Sequence, residues 1–186
     1  MLTGKSGFTV TALFLLFFTL VIASPGHAET NATPTPNMTI PANPTTTIRF
    51  VDNGSGTFLD NLTGLIWPKD GNTPAVPSCN PAVPKTWRGA QDYIDCLNQN
   101  NFQGFKDWRL PDASEMGSLI YVGRDNSAAW LNTEGFSNVQ EGFYWTSTAG
   151  SLSLNASAIN MRYGFVYPFK KTANNYSVWP VRGGGR

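Results

Sequence analysis

Twelve carboxylates, two cysteines and one histidine are the groups with which this sequence could make or break bonds. The histidine is His27 and the cysteines are Cys79 and Cys96. His27 falls in an N-terminal segment that reads as one removed on export, which leaves the mature chain without imidazole. Such a chain cannot run a Ser-His-Asp or Cys-His mechanism, nor ligate zinc through histidine. A cysteine nucleophile would lack its usual base. Paired carboxylates leave glycosidase chemistry open, but no motif singles out a pair. Gly183-Gly184-Gly185 opens no helix, so it is not a phosphate loop. Asp52 and Asp60 flank a stretch too poor in oxygen side chains for a calcium loop. The expectation is a protein that is not an enzyme, with no cofactor and no metal.

Groups that bind without reacting are better represented. Thirteen basic residues face twelve acidic ones, which excludes a strongly basic nucleic-acid binder. Their distribution is uneven. Residues 29–141 carry twelve acids and seven bases, whereas residues 142–186 carry no acid and five bases, Arg162, Lys170, Lys171, Arg182 and Arg186. This asymmetry can create a local anion-attracting surface on a neutral chain. The candidate ligand-binding residues are therefore Arg162, Lys170, Lys171 and Arg182, with Tyr163 and Tyr167 beside them. Guanidinium and ammonium groups would donate to anionic groups, and rings would stack on sugars. Lys170 and Lys171 could equally serve to solubilise a β-edge. Arg109 could bind an anion, but pairing with an interior carboxylate is the preferred reading.

These side chains need a scaffold, and the chain divides into three parts. Lys5 precedes the apolar run 10–23, which is shorter than the ~20 residues of a membrane span. Gly26-His27-Ala28 follows, so residues 1–28 read as a signal peptide cleaved after Ala28, the alternative being a retained anchor helix. Residues 29–47 are rich in Thr, Pro and Asn and read as a disordered tether. Residues 48–186 hold all six tryptophans and suffice for one domain.

Within that domain, residues 48–67 read as three short strands with turns at Asn53-Gly54 and 61–64. A proline-rich loop, 68–86, carries Cys79. Thr86 caps a helix in which Trp87, Ala90, Ile94 and Leu97 share a face. Cys96 lies off that face, and a Cys79–Cys96 disulfide is expected in an exported chain with two cysteines. Asp112 and Glu115 form a capping box for a second helix. Past Gly123 helical spacing disappears, and strands are expected at 143–148, 156–161, 165–169 and 176–182, with a hairpin turn at 162–164. The fold class is α+β, two short helices with an antiparallel β-sheet. Trp67, Trp87, Trp108, Arg109, Asp112, Glu115 and Trp145 are read as structural.

Four blocks carry a resemblance. They are F-V-D-N-G-S-G-T-F-L-D-N-L-T-G-L-I-W (50–67), T-W-R-G-A-Q-D-Y-I-D-C-L-N (86–98), G-F-K-D-W-R-L-P-D-A-S-E-M (104–116) and Y-W-T-S-T (144–148), with a weaker fifth at 178–184. Together they resemble the Lcl C-terminal domain family, named for a bacterial collagen-like adhesin. Many members carry a Cys just before the final Val-Arg, where this chain has Pro180. The resemblance implies a C-type-lectin-like fold related to the formylglycine-generating enzymes. The catalytic Cys pair of those enzymes lies late in the domain, and no Cys follows position 96 here, so their oxidase activity does not carry over. The adhesin is surface-exposed and binds sulfated polysaccharides. The expectation is an exported, periplasmic, cell-surface or secreted recognition or adhesion domain for anionic glycans, with a polysaccharide or a cell-surface protein as partner. A structural or protein-interaction module of the envelope is the alternative, and a carboxylate-dependent hydrolase is a third.

Overall fold

A computed structural model describes residues 48–72, 77–172 and 175–184. The expected signal peptide and tether lie outside the described residues. The domain opens on an antiparallel meander of β1 (Phe50–Asp52), β2 (Thr57–Asp60) and β3 (Leu65–Pro68). In the first turn Asp52 Oδ1 accepts from the Gly54 N–H at 2.7 Å, and Gly54 takes φ 73°, which only glycine adopts freely. Arg49 donates from Nε and Nη2 to the two carboxylate oxygens of fully buried Asp60.

Helix α1 (Trp87–Gln99) starts where Thr86 Oγ1 accepts from the Gly89 N–H, and it buries Ala90, Tyr93, Ile94 and Leu97. Cys96, on its flank, is bonded to Cys79, which ties the proline-rich loop to the helix across 17 residues of chain. Helix α2 (Ala113–Gly117) has the capping box. Asp112 Oδ1 accepts from the Glu115 N–H, and Glu115 Oε2 accepts from the Asp112 N–H. A third helix, α3 (Ser127–Thr133), corrects the expectation of two. It is too short for a periodic stripe, burying only Ser127, Ala128 and Leu131, and its start depends on Asn126 Oδ1 accepting from the Ala129 N–H.

The second sheet is antiparallel β4 (Phe143–Ala149), β5 (Asn155–Asn160) and β6 (Val166–Lys170). The central strand is packed on both faces, so Ala156, Ser157, Ala158 and Ile159 are buried, and the small Ala158 and Ala156 admit their large neighbours Trp145 and Phe169. The chain then returns to the first sheet, where β7 (Arg182–Gly183) pairs with β3. The continuous strand expected over 176–182 is instead a run of single bridges, Tyr176 to Lys85, Ser177 to Tyr144 and Val181 to Arg109. Pro180 has no N–H to extend a ladder.

Two hydrophobic clusters fill the domain, one under the first sheet around Trp67 and Trp179, the other between α1 and the second sheet around Trp108 and Trp145. Four indole N–H groups fasten backbone of both strands and loops to these clusters. Trp87 donates to the Thr146 carbonyl, Trp108 to Phe102, Trp145 to Lys85 and Trp179 to Pro68. A buried Trp both fills volume and can fix the segment whose carbonyl it reaches, although Nε1 of fully buried Trp67 has no partner among the described residues. Among the described residues no helix is long and apolar enough to cross a membrane.

Candidate functional site

Residues alternate across a strand, so Phe143 and Trp145 on β4 share a face with Ala158 on β5 and with Tyr167 and Phe169 on β6. That face packs toward α1 in its interior. Along β6 it runs out of the core into solvent. Phe169 lies half-buried against Phe143 and Tyr176, with ring centroids 5.0 and 4.9 Å apart. Tyr167, Phe165 and Tyr163 follow at alternate positions and are 48%, 58% and 57% exposed. Their neighbouring centroids are 6.3 Å apart (Tyr167 to Phe165) and 5.9 Å apart (Phe165 to Tyr163). The result is a continuous strip of three exposed rings. Scattered exposed apolar side chains are ordinary, but a contiguous row of large ones marks an interaction surface.

Backbone geometry holds the strip at a protected edge. The Asn160 N–H donates to the Phe165 carbonyl and the Lys171 N–H to Leu154. The ring-bearing residues of β6 therefore turn their backbone groups inward to β5, while Val166, Pro168 and Lys170 turn theirs outward. Pro168 removes the N–H at the centre of the free edge. The hairpin turn before β6 is tight. Gly164 takes φ 77°, and a Cβ there would sit 2.8 Å from Ile120 Cγ2.

The candidate basic residues are divided by the fold. Arg162 flanks the strip at Tyr163, its guanidinium 5.2 Å from that ring, and Nη1 donates to Glu141 Oε2 at 2.6 Å. Glu141 also accepts from Asn126 Nδ2, and these two bonds hold its carboxyl below the usual carboxylate range. Lys170 ends β6 at a position that alternates to the face opposite the rings. Lys171 covers the Trp87 ring at 4.4 Å and donates to the Ser153 carbonyl. Arg182 lies in the other sheet, on β7. It donates twice to Asp107 and stacks 3.7 Å over Phe105. Acids of the first half thus meet two of the C-terminal arginines. Phe165 was absent from the sequence-derived set. Its period-two place between Tyr163 and Tyr167 was the signal available.

The segment 107–112 is a junction. Trp108 is sunk in the core, with its backbone N–H and carbonyl both bonded to the Asn98 side chain. Arg109 exchanges backbone bonds with Val181, and its guanidinium donates to Glu115 Oε1 and Oε2 at 2.7 and 2.6 Å. One short stretch thereby ties α1, α2 and the C-terminal segment together. Across this architecture the family model of the Lcl C-terminal domain matches residues 56–182. The chain belongs to the Lcl C-terminal domain family. No curated protein matches it. The D-W-R-L-P block that most resembles the family is occupied with holding the domain together.

Several grooves open on the described residues, and one of them borders the strip. One of about 480 Å3 lies between α1 and the 108–110 segment, lined by Arg88, Asp92, Asp95 and Asn98 among others. Asn98 is committed to Trp108, and Arg88 pairs with Asp92. Another, of about 470 Å3, lies beside the disulfide, and the one of about 450 Å3 that borders the strip opens at its Tyr163 end.

Proposed function

We propose that this chain is an exported, non-catalytic recognition domain that binds polysaccharide through the Tyr163–Phe165–Tyr167 strip, as an adhesion module of the cell envelope or surface. The row of three exposed rings carries the reading. Sugar rings present C–H faces that stack on aromatic planes, and their hydroxyls reach the polar groups around the strip. Arg162 keeps guanidinium donors beside Tyr163 at one end of the strip, its charge paired with Glu141. The Cys79–Cys96 bond fits an oxidising compartment. The C-type-lectin-like relationship implied by the resemblance is part of the same reading.

Five of the eleven described carboxylates fit the non-catalytic part. A glycosidase needs a carboxylic acid whose pKa is raised. Asp52, Asp107 and Glu141 are shifted the other way, chiefly by hydrogen bonds from Lys69, Arg182 and Asn126 respectively. Glu115 and Asp60 are held by arginines.

The test is affinity electrophoresis of the full-length chain through gels containing a panel of neutral and acidic polysaccharides. Retardation by at least one is expected, and Phe165→Ala with Tyr167→Ala abolishes it at unchanged thermal stability. Equal retardation of the double variant removes the strip as the site.

A further inference from the structure

We infer that the strip continues past Tyr163 into a subsite for a uronate ring, whose carboxylate is taken by Arg124. This rests on the polysaccharide reading and adds the class of sugar. The cleft of about 450 Å3 at that end shares Tyr163 and Phe165 with the strip, and its other walls include Tyr121, Arg124, Asp125 and Arg162. A chain lying along the rings enters it without leaving the aromatic surface.

The charges in the cleft select what can fill it. Arg162 is engaged by Glu141. Arg124 lies 5.8 Å from the centroid of the Tyr121 ring, and among the described residues no carboxylate lies within ion-pair distance of it. Its planar fork of donors matches a carboxylate, which it can hold through two parallel bonds. Asp125 lines the same cleft and calls for the opposite partner, a hydroxyl that donates. A sugar acid supplies both, one carboxylate on a ring that also bears hydroxyls. A densely sulfated stretch would set several negative charges against Asp125 and Glu141. An apolar acid would satisfy Arg124 and leave Asp125 without a donor.

Calorimetric titration of the full-length chain with galacturonate, mannuronate and glucuronate trisaccharides, each paired with its methyl ester, tests this. Esterification removes the charge and keeps the ring. At least one acid should bind about tenfold tighter than its ester, the worth of a charge-assisted hydrogen bond in a solvated cleft. Arg124→Gln should bring that ratio close to one, and Phe165→Ala should weaken both forms together. Equal binding of every acid and its ester by the wild type overturns the uronate subsite while the strip reading stands. So does a preference that survives Arg124→Gln. Binding of neither form by any pair overturns the uronate subsite as well, and the strip reading is decided apart from it by the gel retardation of the wild type and the double variant.

Discussion

Arg109 and Glu115 show how much a single pair can organise. Glu115 accepts two guanidinium bonds and also closes the capping box of α2. Arg109→Ala leaves a partly buried carboxylate without its charge partner and should cost about 1–3 kcal/mol in urea denaturation. A change below about 0.5 kcal/mol, the usual range for surface substitutions, would contradict this account of the junction. Asp107 makes a pH prediction. Its carboxyl is held below the usual range by the Arg182 hydrogen bonds, so the folded state binds its proton less readily than the unfolded chain. The stability this contributes is present at neutral pH and is lost as the pH falls through and below the ordinary aspartate value of 3.8. Asp107→Asn should therefore be less stable than wild type at pH 7, with the difference closing on acidification. A difference that persists unchanged at low pH contradicts it. Sequence made the capping box readable because its partners are three residues apart. The pairing of Arg182 with Asp107 spans 75 residues, and charge counting alone could not show that the acidic and basic halves meet there.

At the scale of elements, the disulfide and the β6 edge make separate predictions. The bond between Cys79 and Cys96 closes a loop spanning 17 residues. By chain entropy this is worth about 3 kcal/mol. Reduction, or Cys79→Ser with Cys96→Ser, should lower the melting temperature by about 10 °C. An unchanged melting curve under reductant contradicts that estimate. Pro168 faces the free edge, so Pro168→Val restores an outward N–H and should produce concentration-dependent association in light scattering. A strictly monodisperse variant at all concentrations contradicts the edge assignment. The strands around the first two turns, and α1 with its threonine cap, were legible because their signals are local. Helix α3 was not, since seven residues with three buried positions give no periodic pattern. The broken C-terminal strand was half legible. Pro180 announced an interruption, but the three separate bridging partners of 176–181 come from segments far apart in sequence.

For the whole molecule, a domain with little helix is held by indole bonds, a disulfide and bidentate arginine pairs, and one strand carries its aromatic face out of the core. Fold class and family were legible because strand, helix and turn signals occur in a fixed order along the chain. The binding surface was only partly legible. Alternating rings at 163, 165 and 167 are visible in the sequence, but exposure distinguishes them from the buried aromatics, and exposure depends on packing that spans the domain. Nuclear magnetic resonance of aromatic-labelled protein, titrated with a polysaccharide fragment that retards it in gels, tests the central claim most directly. The account predicts shifts concentrated at Tyr163, Phe165 and Tyr167, with the buried Trp145 and Trp179 unmoved. Shifts confined to the groove beside α1, at Trp108, would contradict it.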